Sequence, residues 1–270
     1  MTLTDYASGL SRPGNLLPFA RAGYPAGFVA GELSERMRRL VAGYAEIGGE
    51  VFVDSGAFSM DVADFAPVFE VYLELASGLS DEARGRLSVV APDVVGDQAA
   101  TIELLAKWAP VLQVLVDAGV RVLVPLQKGE LSGPELFGAI DEALREMTWV
   151  PAFPCKKAAT TAAEIVDFCD RTWAPDIHCL GLGGEKLQEL AQAIHEVSPD
   201  TRVTGDSNKL RAMVGSRRPL HRDTTTRTTE LLEGLEEVMG GADWDREGTE
   251  VNARRLLKDC LIQAKFTGAA

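Results

Sequence analysis

Short β-branched runs alternate along this chain with longer stretches of helical period. Residues 51–53, 87–91, 120–124, 149–153, 177–180 and 201–204 each read as a strand. Between them apolar residues recur at helical spacing: Phe65, Val68, Phe69, Tyr72 and Leu79; Ile102, Leu105, Trp108, Leu112 and Leu115; Ile165, Phe168 and Cys169; Leu187, Leu190 and Ile194. A further helix is expected around 135–146, and Pro110 is expected to kink or split the helix that contains it. Ser132 with Glu135, and Thr161 with Glu164, have capping-box spacing at two helix starts. Strands this short and apolar, each followed by a helix, predict a parallel sheet buried on both faces. An opening strand is expected at 16–19 or 27–30, ahead of a helix stripe at Leu33, Met37, Leu40, Val41 and Tyr44. The succession predicts an α/β fold, a (β/α)8 TIM-type barrel, although no eighth strand is evident. No linker or repeat divides the chain, so one domain over residues 1–270 is expected. It would carry a polar, basic excursion at 207–229 and C-terminal helices at 230–266.

Composition narrows the picture. The 270 residues are 46% hydrophobic, which excludes a disordered chain, and 40 acidic against 27 basic side chains leave a net charge of -13. A generic nucleic-acid binder is disfavoured by that balance. No continuous apolar run of membrane-spanning length occurs and no signal-peptide pattern opens the chain, so a cytoplasmic protein without a membrane partner is expected. The four cysteines, Cys155, Cys169, Cys179 and Cys260, lack the close spacing of a zinc site and read as reduced, buried thiols; no metal is expected.

The informative feature is where polar residues fall. Asp54, Asp93, Gln127, Lys156, Gly183 and Asp206 each follow one of the predicted strands, on the face where barrel enzymes build their sites. Taken singly, an Asp in such a place is equally a helix N-cap, as for Asp97. Gly181-Leu182-Gly183-Gly184 either offers N–H groups to a ligand or makes a tight loop turn.

Asp54-Ser55-Gly56-Ala57-Phe58 resembles the Asp-Ser-Gly-Gly-Phe signature of the tRNA-guanine transglycosylases, the queuine/archaeosine base-exchange barrels. Asp93, the segment ending at Gln127, the glycines ending at Gly184, and Asp206 follow in the same order, so the resemblance covers about residues 50–210. It implies a pentosyltransferase needing no cofactor. Asp206 would be the nucleophile attacking C1′ and Asp54 the general acid/base. Ser55, Gly56, Phe58, Asp93, Gln127, Gly183 and Gly184 would bind the base. Phe58 could equally be a core aromatic.

The three-cysteine, one-histidine zinc site of the tRNA enzymes is absent here, since only Cys260 lies beyond Asp206, and Ala57 replaces a Gly. The shorter, zinc-free pattern with Thr204-Gly205-Asp206 is more similar to the DNA 7-deazaguanine transglycosylases. The implied reaction exchanges guanine in DNA for a free 7-deazaguanine base, 7-cyano-7-deazaguanine above all, on a flipped nucleotide. Alternatives are the same exchange on tRNA or on a free nucleoside or nucleotide, or a non-catalytic barrel subunit partnering an active enzyme. Accessory DNA-opening proteins and a homodimer are further expected partners. Residues 206–227 hold six basic against two acidic side chains, a net +4 that leaves -17 on the rest. Lys156, Lys157, Lys209, Arg211, Arg217, Arg218 and Arg222 would accordingly lie along a nucleic-acid backbone, unless this is an ordinary solvated loop surface.

Overall fold

In a strand whose two faces are both covered, alternate side chains point into the barrel and out toward the helices. Residues 176–180 show this plainly: Asp176, His178 and Leu180 share the inner face, while Ile177 and Cys179 are buried on the outer one. The computed structural model describes residues 2–57, 65–145, 147–156, 160–209 and 211. Among these, eight parallel strands close into a barrel in chain order, with the last hydrogen-bonded to the first. They are β1 (Leu3–Ala7), β2 (Ala26–Val29), β3 (Val51–Asp54), β4 (Leu87–Val90), β5 (Arg121–Pro125), β6 (Val150–Pro154), β7 (Asp176–Leu180) and β8 (Arg202–Ser207). The helices are α1 (Pro13–Arg21), α2 (Glu35–Glu46), α3 (Ala66–Ser77), α4 (Asp81–Arg84), α5 (Gln98–Asp117), α6 (Gly133–Leu144), α7 (Ala162–Thr172) and α8 (Glu185–Val197). The chain is a (β/α)8 barrel, as the alternating pattern implies.

The opening of the barrel differs from expectation. Residues 16–19 lie in α1, not in a strand, because Pro13 starts a helix there and Pro18 sits within it. Residues 27–29 belong to β2, the second strand. The strand missing from the sequence reading is β1, which is short and carries Thr4 and Asp5, so it shows no apolar run. Its register pairs Tyr6 with Asp206 and Ala7 with Ser207, which closes the barrel. Asp206 therefore stands within the eighth strand, not beyond a seventh. The short α4 was not expected, and α6 ends at Leu144, where Arg145 turns into the left-handed region.

Two layers of packing hold the barrel. The larger lies between strands and helices and includes Val53, Val89, Val124, Phe153, Ile177 and Val203 against Phe69, Leu112, Ile140, Phe168 and Leu190. Each side chain of this size, fully buried, contributes roughly 1.5–3 kcal/mol. The smaller lies inside the barrel, where Tyr6, Phe52, Val90, Leu123, Val150 and Ala152 fill the middle. Helix α5 is long and apolar enough to cross a membrane by length and composition. Here it is a barrel helix: Leu105, Trp108, Leu112 and Leu115 are buried, and it continues through Pro110 without a split. Both capping boxes form, at Ser132 with Glu135 and at Thr161 with Glu164. Cys169 and Cys179 are buried free thiols and Cys155 is half-buried; Cys260 lies outside the described residues.

Candidate active site

The inner face of the barrel rises in layers set by the two-residue period of its strands. Arg202, Thr204 and Asp206 climb β8, Phe52 and Asp54 climb β3, and Asp176, His178 and Leu180 climb β7. The top layer opens into a cavity of about 530 Å³ at the carboxyl ends of the strands. Asp54, Asp93, Gln127, Lys128, Lys156 and Asp206 supply its polar lining, and Val90, Val95, Pro125, Pro154 and Leu180 much of its apolar wall.

Asp206 is held from three sides. The Ser8 hydroxyl donates to Oδ2 at 2.6 Å, the Gly181 N–H donates to Oδ1 at 2.6 Å, and His178 Nε2 stands 3.5 Å from Oδ1. Burial pushes its carboxyl up, but the His178 imidazole and the Ser8 and Gly181 donors outweigh it, so Asp206 lies below the usual carboxylate range. It is ionised at neutral pH. Gly181 reaches it because its φ is +76°. A Cβ there would come within 2.4 Å of Lys156, whose stem lies over this turn.

Asp54 follows the opposite rule. Its Oδ1 accepts from the Gly56 N–H at 3.0 Å, closing an Asx-type turn rather than capping a helix. Burial raises its pKa first, Asp206 raises it further, and the Gly56 N–H, His178 and Lys156 oppose the rise. Asp93, only 6% exposed, is pushed up to about 7 by burial and by the charge of Asp54, against the Gln127 hydrogen bond. Gln127 Nε2 donates to Asp93 Oδ2 at 2.7 Å, and its Oε1 accepts from the Gly96 N–H at 2.9 Å. Three carboxyls thus share one cavity, with proton affinity below the ordinary value at Asp206 and above it at Asp54 and Asp93.

The other expected site residues divide. Ser55 is buried in the turn beneath Asp54, where its hydroxyl accepts from the Ala57 N–H at 3.3 Å. Gly183 and Gly184 turn away from the cavity. The Gly184 N–H donates to Asp5 Oδ2 at 2.8 Å, and a side chain at Gly183 would meet Asp5 and Ser207. Gly181 is the residue of that loop whose N–H faces the carboxylates. Arg211 Nη1 donates to the Gly9 carbonyl at 2.9 Å, tying the chain after β8 to the loop after β1, and Lys209 is exposed. Phe58, Lys157, Arg217, Arg218 and Arg222, with the basic excursion beyond Arg211 and the C-terminal helices, lie outside the described residues. Asp97 is the helix N-cap of α5, accepting from the Ala100 N–H.

Sequence reasoning missed His178 and Ser8, and it picked out the loop 181–184 but placed the contact at Gly183 and Gly184 rather than at Gly181. His178 had a legible signal: it sits two residues from both Asp176 and Leu180, so alternation alone puts it on the inner face. Among the described residues no group of three His, Cys, Asp or Glu is placed to hold a metal ion.

No family model matches the chain, and no curated protein matches it. Solved structures of similar shape include a sugar phosphate isomerase/epimerase from Parabacteroides distasonis, at 10% identity and a TM-score of 0.45 over 89% of this chain and 96% of that one. An L-ribulose 3-epimerase matches at 13% identity and 0.45, over 94% and 95%. A truncated 3-deoxy-D-arabino-heptulosonate 7-phosphate synthase from Thermotoga maritima matches at 11% and 0.45, over 90% and 87%. The barrel itself rests on the strand pairing, and likeness at this level says nothing of activity.

The expected membership of the guanine transglycosylases is overturned, and with it base exchange on DNA, tRNA or a nucleoside, the pentosyltransferase class and the subunit alternative. Neither a family model nor a curated protein carries the resemblance, and none of the similar structures named above is described as a transglycosylase. The physical reason lies in the fold. Any (β/α)8 barrel gathers the polar residues after its strands at one mouth in chain order, so that order reports the topology before it reports a reaction. The Asp-Ser-Gly segment is likewise a local turn, closed by Asp54 on Gly56.

Proposed function

We propose that the cavity is the active site of a small-molecule enzyme working by general acid–base catalysis. It would take a proton from the carbon beside a carbonyl of a small hydroxylated substrate and return one, an isomerisation or epimerisation. The observation that carries this reading is a pair of carboxyls driven in opposite directions within one cavity: Asp206 below its ordinary range and Asp93 up to about 7. Such a split assigns a base and an acid at the same pH. Asp206 would accept the proton and Asp93 would donate one, with Asp54 exchanging protons across the site. Lys156 and Lys128 on the cavity wall would oppose negative charge gathering on the carbonyl oxygen. A lining of carboxylates and an amide favours a ligand rich in hydroxyl donors, and a volume of about 530 Å³ suits a molecule of metabolite size.

The test is carbon-bound hydrogen exchange. Wild-type protein is incubated in D2O with a panel of aldoses, ketoses and their phosphates, and deuterium beside the carbonyl is read by NMR. Exchange of at least one compound, lost in Asp206→Asn, is expected. A folded protein that exchanges none of them would overturn the reading.

A further inference from the structure

Behind the cavity, His178 is wholly buried on the inner face of β7. Its ring lies against Phe52, with centroids 4.8 Å apart and planes 19° from parallel. Nδ1 is 2.9 Å from the Thr204 hydroxyl, and that hydroxyl donates to the Ile177 carbonyl at 3.0 Å. A hydroxyl has one hydrogen. With it directed at Ile177, the Thr204 oxygen is an acceptor, and Nδ1 must carry a proton. The other ring nitrogen, Nε2, has no hydrogen-bond partner and points at Asp206 Oδ1 across 3.5 Å, ion-pair range but long for a hydrogen bond. If Nε2 were bare, a buried lone pair would face a buried carboxylate, an arrangement that low dielectric makes costly.

We propose that His178 is a buried imidazolium, protonated on both nitrogens, and that it is the positioning residue that keeps Asp206 an anion facing the cavity. The groups around it agree with a cation. The ionisable side chains that face the ring are Asp206 from β8, Asp54 from β3 and the Tyr6 phenol from β1, the last with its ring centroid 6.2 Å away. None of these is cationic; Arg202 and Arg121, one layer lower on the inner face, are paired with Glu50 and Asp176, and Lys156 lies over Gly181. The stacked Phe52 face adds the ordinary attraction of an aromatic ring for a cation. The positioning role rests on Asp206 being the base proposed above. The charge on His178 does not, and it can be read with no substrate present.

Two measurements test it. In protein with 15N-labelled histidine, the ring signals of His178 are assigned by their absence from His178→Asn. Protonation of both nitrogens at neutral pH is expected. A lone-pair nitrogen signal there would overturn the proposal, since it would mean a neutral ring with the Thr204 hydroxyl turned to Nδ1. The second measurement follows the Asp206 carboxyl by 13C through a pH titration. Its midpoint should move to higher pH in His178→Asn, and in Thr204→Val by less, because Val cannot accept from Nδ1. If the midpoint of Asp206 is unchanged in folded Thr204→Val and His178→Asn alike, the ring is only packing. Should His178→Asn fail to fold, the ring signals are assigned by elimination of those lost in His195→Gln and His221→Gln, and with the Thr204→Val titration they still decide. Loss of hydrogen exchange with an unchanged Asp206 midpoint would count against the positioning role, whereas a shifted midpoint with no exchange in the wild type would leave His178 charged and overturn only the reading of the reaction.

Discussion

The two ends of the barrel treat charge in opposite ways. At the floor, where strands begin, Arg121 pairs with Asp176 and donates to Ser88 Oγ at 2.9 Å, while Arg202 pairs with Glu50 at 3.4 Å and Tyr6 donates to the same carboxylate at 3.3 Å. Each floor carboxylate has a guanidinium within reach. At the mouth, Asp54, Asp93 and Asp206 line one cavity with two lysines, of which Lys128 is paired with Glu164. Matched charge holds the floor together. At the mouth Asp206 has His178, Ser8 and Gly181 against it while Asp54 and Asp93 have no such set, so the three settle at different proton affinities, and that difference can do chemistry.

The largest effect that would sharpen this contrast is at Asp206. Asp206→Asn keeps one oxygen, for the Gly181 N–H, and turns an amide donor to the Ser8 hydroxyl, which can accept it, but removes the anion, and exchange should fall about 10²–10⁴-fold. A modest loss would move the base to Asp54.

Next comes Asp93. Its pKa near 7 lies above the unfolded value, so the folded chain binds the extra proton between about pH 4 and 7. Stability from this group is therefore full at low pH and is lost as pH rises through about 7, on the order of 4 kcal/mol in all. Denaturant titrations across that range should show the slope in the wild type and its loss in Asp93→Asn. The same variant should also lose the fall in activity above about pH 7.

At the floor, Arg121→Leu would leave Asp176 without its guanidinium in a mostly buried place. The unfolding free energy should drop by roughly 3 kcal/mol, somewhat less than for a fully buried pair, with exchange per folded molecule unchanged. If activity fell with stability held, the division between the two ends would fail. The smallest effect belongs to neither end. Ser132→Ala removes half of the α6 capping box and should lower stability by about 1 kcal/mol without touching the mouth.

How much of this was legible beforehand depends on the range of the forces involved. Strands β3 to β8, the stripes of the main helices and both capping boxes follow from local periodicity and spacing, and they were readable to within a residue or two, except that β8 runs on to Ser207, three residues past its expected end. The cavity residues Asp54, Asp93, Gln127, Lys156 and Asp206 were legible too, because a barrel sends strand ends to one mouth. β1 was not, since a strand carrying Thr4 and Asp5 is recognised only by the partner that closes on it. The reaction was misread because a strand-end order common to barrels was taken as the mark of one family.

By itself, then, the sequence determined a repeated alternation of strand and helix and a ring of polar residues at one end, because side-chain period and apolar burial act between near neighbours. Tertiary structure alone decided what those residues are. It brought Ser8 from the first strand end, and Gly181 and His178 from the seventh strand and the turn after it, onto Asp206 in the eighth. Proton affinity is set by desolvation and by charges a few ångströms away, and those neighbours lie as many as 198 positions apart in the chain.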